Sequence, residues 1–287
     1  MALGFVGLGN MGSALAANLV GAGHELISHD VAGPDRSPDG ATFVADLAEL
    51  ARRCDVVVLS LPDGIVSEQV AREILAVADR RTTYVVDTST IGLAAAQAID
   101  ALLDEGGVGY VDAPVSGGVA GARARTLSVM YAGTDEACAA VDTVLAGLSD
   151  RTRRVGDRPG MGQALKLLNN FLSATALAAT SEAVAFGRSV GLDMVTMLDV
   201  LNVSSGQSAA TSDKFPNHVL TGTYDAGFAN SLMAKDLRLY LAAVQSQDSP
   251  SVLGPVVTSV WEHFAESEPG ADFTRIYPFV ETSTPSV

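Results

Sequence analysis

The stretch LGFVGLGNMGSALAANLVGAG, residues 3–23, decides the fold. It opens on a β-rich apolar run, passes through glycines at 7, 9 and 12, and continues with helical periodicity to a closing glycine. The G-x-G-x-x-G spacing is weak evidence alone. Directly after a strand and directly before a helix, it reads as a dinucleotide-binding turn. Gly7 permits the tight turn, Gly9 lets backbone approach a pyrophosphate, and Gly12 lets the helix pack on the strand. The helix N-terminus then offers N–H groups to the phosphates. Leu8, Asn10 and Met11 complete the expected cofactor-binding turn.

Further along, HELISHD (24–30), CDVVVLSLP (54–62), TTYVVDTST (82–90), VGYVDAPVSGG (108–118) and LSVMYAG (127–133) read as strands. CDVVVLSLP is nearly all apolar, as a parallel strand covered on both faces should be. Helical runs such as SEQVAREILAVA (67–78) and GLAAAQAIDALLDEGG (92–107) lie between them. Alternating strand and helix predicts an α/β fold with a doubly wound sheet. After DRTRRVGDRPGMG (150–162) no strand is expected and the runs are helical. The expected organisation is therefore a dinucleotide-binding domain over 1–158 and an all-helical domain over 159–287, entered by a long helix starting near Gly162. The arginines of DRTRR read as a solvated surface.

Asp30 closes the second strand, 18 residues after Gly12. A carboxylate there accepts hydrogen bonds from ribose hydroxyls and repels a 2′-phosphate, which favours NAD over NADP. Arg36, in the following loop, argues the other way.

A net charge of −15 disfavours nucleic acid and anionic membrane as partners. No histidine or cysteine has a partner at ligand spacing, so no metal site is expected. Cys54 and Cys138 read as buried thiols. No targeting segment or membrane span is recognised, which points to the cytoplasm.

Of the 18 basic residues only Lys166, Lys214 and Lys235 are lysines. Lysine can release its proton near neutral pH and arginine effectively cannot. Lys166 sits in the apolar run GMGQALKLLNN (160–170), where either a chemical role or a snorkelling stem would explain it. Asn170 lies four residues on and shares its helix face; Asn169 flanks them. The helix dipole near Gly162 opposes a positive charge at Lys166 by only about 0.3–1 kcal/mol. Desolvation would have to supply the rest of any proton release. Ser116-Gly117-Gly118 is either an ordinary turn or a carboxylate-binding loop at a strand end.

Three segments beyond the glycine turn, DAPVSGGVAGARARTLSVMYAG (112–133), GQALKLLNN (162–170) and MAKDLRL (233–239), resemble signatures of the β-hydroxyacid dehydrogenases. The resemblance runs from residue 4 to about 240 in the family's order. It implies a Rossmann-type domain and a helical C-terminal domain joined by a long helix, with the active site in the cleft between them. By resemblance Lys166 is the catalytic lysine and Asn170 holds the substrate beside it. Ser116, Gly117 and Gly118 grip the substrate carboxylate. Thr90 stands beside the nicotinamide end of the cofactor, with Leu61 and Pro62 also on the cofactor. Lys235 closes over cofactor and substrate from the helical domain, and Asp236 is structural. The implied activity is hydride transfer between NAD(P) and a small 3-hydroxy acid or its semialdehyde, in a homodimer or homotetramer formed through the helical domain. An imine reductase and a catalytically silent NAD-binding scaffold are the alternatives. The family usually reads G-T-L where this chain has Arg125-Thr126-Leu127; an arginine there would crowd the turn or add charge near the substrate loop. Substrate selectivity is expected from the NVSSGQS loop (202–208), Arg123 or Arg125.

Overall fold

In the computed structural model, which describes residues 2–282, the chain divides into two compact units, Met1–Lys166 and Leu167–Val287. The first unit runs β1 (Leu3–Val6), α1 (Asn10–Gly21), β2 (Leu26–His29), β3 (Thr42–Phe43), α2 (Leu47–Arg53), β4 (Val56–Leu59), α3 (Gly64–Ala76), β5 (Tyr84–Asp87), α4 (Leu93–Glu105), β6 (Gly109–Asp112), β7 (Val115–Ser116), α5 (Gly118–Arg123), β8 (Ser128–Ala132), α6 (Asp135–Ala140), α7 (Asp142–Leu148) and β9 (Arg151–Gly156). α8 (Met161–Ser189) follows, and the division between the units lies within it, at Lys166/Leu167.

The sheet has nine strands in the order β3-β2-β1-β4-β5-β6-β8-β7, with β9 paired to β8. β3, β2, β1, β4, β5 and β6 are mutually parallel. β1 lies between β2 and β4, so the strand order reverses there, and ligands bind parallel sheets at the strand C-termini beside such a point. Successive β4 residues face opposite layers: Val56 and Val58 pack with Leu15 and Leu19 of α1, whereas Val57 and Leu59 pack with Leu50 of α2 and Ile74 of α3. That double covering is why the run carries no polar residue. Asp46 and Asp63 cap α2 and α3, accepting from the Ala48 and Val66 amides.

Two strands depart from the sequence expectation. β3 is only two residues long, and β9 is the arginine-rich segment read as surface. Both lie at rims of the sheet, where exposure removes the apolar alternation that marks a strand.

The second unit contains the rest of α8, α9 (Met194–Leu201), a π-helical segment Ala210–Val219, α10 (Asn230–Ser246), α11 (Gly254–Ser267) and α12 (Ile276–Thr282). Its core gathers Trp261, Phe215, Phe264, Leu237 and Val184, all fully buried. The π segment contains Pro216, which has no N–H to give an α-helical ladder. No helix among the described residues is long and apolar enough to cross a membrane.

Candidate functional site

The glycine turn sits at the C-terminal end of β1, and its three glycines are required for different reasons. Gly7 has φ 95°, and a Cβ there would stand 2.3 Å from the Ser60 carbonyl oxygen. A Cβ on Gly12 would lie 1.9 Å from the Gly7 oxygen. Both are glycine because the fold leaves no room. Gly9 is different: a Cβ there would meet nothing within 4 Å, and its φ of −61° suits any residue. The protein itself does not demand glycine at this exposed position, so the demand comes from something that must approach the backbone. No side chain caps α1 and no acidic residue stands in its first turn, leaving the helix N-terminus to an anion. These residues fit the pyrophosphate of a dinucleotide.

Asp30 follows β2. One carboxylate oxygen accepts from the Leu8 amide and the other from the Ala32 amide at 2.7 Å. Its carboxylate is thereby fixed beside the turn with lone pairs left for further donors. Arg36 donates to Asn10 Oδ1 at 3.3 Å, which places a guanidinium at the same edge. Two exposed apolar side chains of this unit were not singled out in the sequence. The exposed large apolar side chains described in this unit are Val31, 98% exposed, and Ile65 on α3, 81% exposed. Val31 lies two residues after the end of β2, and Ile65 is in the first turn of α3, the helix that follows β4. The signal was present: Val31 is an apolar residue in a loop and Ile65 one in the first turn of α3, positions that otherwise favour polar ones.

The remaining first-unit candidates lie in strand-end loops. The Leu61 amide donates to Ser89 Oγ at 2.7 Å, tying the loop of Leu61 and Pro62 to that of Thr90. Ser116 ends β7, and Gly117 and Gly118 follow with φ 130° and 67°, a reversal that only glycine makes readily. Lys166 lies on α8 and is 7% exposed. Below it is a buried acidic pair. Asp112 Oδ2 accepts from the Gln163 amide at 2.7 Å, while its Oδ1 has no hydrogen-bond partner among the described residues. Burial pushes the Asp112 carboxyl up to about 7, opposed by the Gln163 amide. Burial also raises Asp87, against the bond from the Ser89 amide at 2.9 Å.

In the second unit, Asn170 is 5% exposed and donates through Nδ2 to Asp236 Oδ2 at 2.6 Å. Its Oδ1 accepts from Asn169 Nδ2 at 3.2 Å. Asp236, 2% exposed on α10, therefore fixes which way the Asn170 amide faces. Its other oxygen lies 3.3 Å from Lys235 Nζ. The KD dipeptide and Asn170 are thus one cluster, a link the sequence could not show. Lys166 and Asn170 stand one turn apart on the uninterrupted α8.

Arg125 does not crowd its turn. It adopts the left-handed conformation, φ 57°, and its guanidinium turns onto main-chain carbonyls. Nη1 donates to Gly147 O at 2.8 Å and Asn18 O at 3.3 Å, and Nη2 to Ala146 O at 3.1 Å, with Asp150 at 3.2 Å. The charge is spent on the C-terminal carbonyls of α7 and a carbonyl of α1. No group of three histidine, cysteine or acidic side chains among the described residues is placed to hold a metal ion.

Comparison with known proteins agrees with this geometry. Residues 2–156 match the family model described as the NAD binding domain of 6-phosphogluconate dehydrogenase. Residues 160–280 match that described as NAD-binding of NADP-dependent 3-hydroxyisobutyrate dehydrogenase. The mitochondrial 3-hydroxyisobutyrate dehydrogenase of Drosophila melanogaster is 33% identical, over 99% of this chain and 91% of that protein. The solved 3-hydroxyisobutyrate dehydrogenase of Mycobacterium tuberculosis with L-serine is 32% identical, with a TM-score of 0.91 over 97% of this chain and 98% of that one. An imine reductase from Myxococcus stipitatus, at 21% identity and a TM-score of 0.66, shares the fold alone. With the motifs of residues 4–240 present in order and both halves matched, the chain belongs to the β-hydroxyacid dehydrogenase family, whose members are NAD(P)-dependent oxidoreductases.

Proposed function

We propose that the protein transfers hydride between NAD and a small 3-hydroxy acid of the 3-hydroxyisobutyrate type, with Lys166 as the general acid and base. The observation that carries this reading is the pair on α8: a lysine 7% exposed, followed one turn later by an asparagine whose amide is held by Asp236. A lysine so placed exchanges one proton with the substrate hydroxyl, which neither an arginine nor a snorkelling stem would do. Bound NAD supplies the hydride acceptor. As the carbon–hydrogen bond breaks, Lys166 Nζ takes the hydroxyl proton; in the reverse direction its ammonium returns it. Ser116 Oγ and the Gly117 and Gly118 amides hold the carboxylate. Asn170 orients the hydroxyl, and Lys235 engages cofactor and substrate.

On this reading residues 1–158 carry the cofactor, on Gly7, Leu8, Gly9, Asn10, Met11, Gly12, Asp30, Leu61, Pro62 and Thr90. Residues 159–287 carry the proton-transfer residues and the oligomer contact. Exposed Leu172, Phe186, Val190, Val195 and Val203 on the helical unit support a homodimer or homotetramer there. NAD is favoured over NADP because the Asp30 carboxylate, locked by two amides, would face an added 2′-phosphate. L-serine, the molecule solved with the mycobacterial relative, is itself a small β-hydroxy acid. The lysine–asparagine pair speaks against both an imine reductase and a silent scaffold.

The test is an NAD-coupled screen of 3-hydroxyisobutyrate, glycerate, threonate and sulfonated analogues, repeated on Lys166→Ala and Lys166→Arg. Both variants should bind NAD as the parent does and lose about 10²–10⁴-fold in kcat. Turnover that survives in Lys166→Ala, or appears only with cyclic imines, would reject the reading.

A further inference from the structure

Gln163 is fully buried at the first turn of α8, and every polar atom of its side chain is used. Oε1 accepts from the Ile91 amide at 2.9 Å and the Gly92 amide at 3.1 Å. Nε2 donates to the Ser89 carbonyl at 2.9 Å. Two donors on one side and a carbonyl on the other leave the amide a single orientation. The three contacts bracket Thr90 without touching it. The Gln163 main chain is held as well, its N–H on Asp112 Oδ2 at 2.7 Å. One residue earlier, a Cβ on Gly162 would stand 2.6 Å from the Met130 carbonyl oxygen and 2.7 Å from Asp112 Oδ2. The start of α8 is therefore tied down by four hydrogen bonds through Gln163 and seated so closely at Gly162 that no side chain fits there.

We propose that Gln163 is a positioning residue for the proton-transfer step: it pins the helix that carries Lys166 to the loop that carries Thr90. This rests on the reading of Lys166 given above. Lys166 lies three residues along, about 4.5 Å further up the axis. A roll of about 10° carries a group about 6 Å off the axis through about 1 Å. Misplacement of that size costs on the order of 10²-fold in rate. A glutamine that only satisfied buried polar groups would hold the fold together and leave the rate of a folded enzyme unchanged.

The experiment compares the parent with Gln163→Met, which keeps the length and removes the three bonds. NAD affinity is measured by titration, and hydride transfer by single-turnover appearance of NADH with 3-hydroxyisobutyrate at saturating NAD. The expected result is a hydride step slowed about 10–100-fold, with NAD affinity within about threefold of the parent. An unchanged hydride step in folded Gln163→Met overturns the proposal. So does a slowing that only mirrors lost NAD affinity. Should Gln163→Met fail to fold, Gln163→Glu, which keeps the acceptor for Ile91 and Gly92, is read by the same two measurements and the same criteria. Lys166→Ala is run in parallel. If it retains turnover, or if the parent oxidises no hydroxy acid, the functional reading falls and the positioning role with it. If Lys166→Ala is inactive while the Gln163 variants transfer hydride normally, the positioning role alone falls.

Discussion

Replacing Arg125 by the glycine usual in the family should weaken the protein without altering what it acts on. Arg125 at φ 57° carries a conformational cost of roughly 1–2 kcal/mol that glycine would relieve. Against this, glycine gains entropy in the unfolded chain and costs roughly 0.5–1 kcal/mol. The substitution also removes the bonds to Gly147 O and Ala146 O, at 2.8 and 3.1 Å, from a side chain 32% exposed. Discounted for water, these contribute about 1 kcal/mol each. The ion pair to Asp150, itself 72% exposed, adds about 0–1 kcal/mol. The balance is a loss of about 0.5–3 kcal/mol. For a unit of this size that lowers Tm by roughly 1–12 °C. Arg125→Ala loses the same bonds and keeps the strained φ, so it should fall about 1 kcal/mol below Arg125→Gly. Thermal and urea unfolding of the three proteins gives the order, and steady-state kinetics should find kcat/KM within about twofold throughout. A glycine variant as stable as the parent would refute the clamp. A KM raised tenfold or more with unaltered unfolding would show that the charge acts on the substrate after all.

Asp112 should make stability fall with pH. Its folded value of about 7 lies above the ordinary aspartate value of 3.8, so the folded state holds the extra proton between those limits and stability declines as pH rises through that window. Asp112 alone contributes at most about 1.4 kcal/mol per pH unit, and Asp87, also raised by burial, acts in the same direction. Asp112→Asn should flatten the profile, and an unchanged slope in urea titrations across pH 4–8 would reject the assignment. Gly162→Ala improves helix propensity by about 1 kcal/mol yet drives a Cβ into two oxygens, so the variant should be less stable and slower. Equal stability in a melt would count against the tight seat. Asp30→Ala should raise the Kd for NAD and narrow its advantage over NADP, and adding Arg36→Ala should weaken NADP selectively. Fluorescence titration of both cofactors reads the ratio, and an unmoved ratio would place discrimination elsewhere.

What could be read from the chain was what lies close along it. The glycine turn, Asp30 and the apolar strand runs each need only neighbours in sequence, and periodicity reports them. β9 was hidden because a rim strand of arginines has no buried face to leave a pattern. Gln163 looked like one more polar residue on a helix, since its partners lie more than 70 positions away on the chain. The same holds for Asp236 and Asn170, and for Arg125 and Asn18, separated by 66 and 107 positions. Such pairings exist only once strands and helices have been assembled. Arg125 also shows how a departure from a familiar motif can mislead, because a charge beside a substrate loop faced carbonyls behind it.

The two rims of the sheet have a bearing on crowding. An open rim is a row of amides and carbonyls that a second chain could extend into a fibre. At one end β3 offers only two residues, too short a template to hold a stranger. At the other, β9 presents Arg151, Arg153 and Arg154, all exposed, and an identical strand docking there would bring guanidinium beside guanidinium. The molecule can thus keep a broad sheet at high protein concentration without polymerising along it.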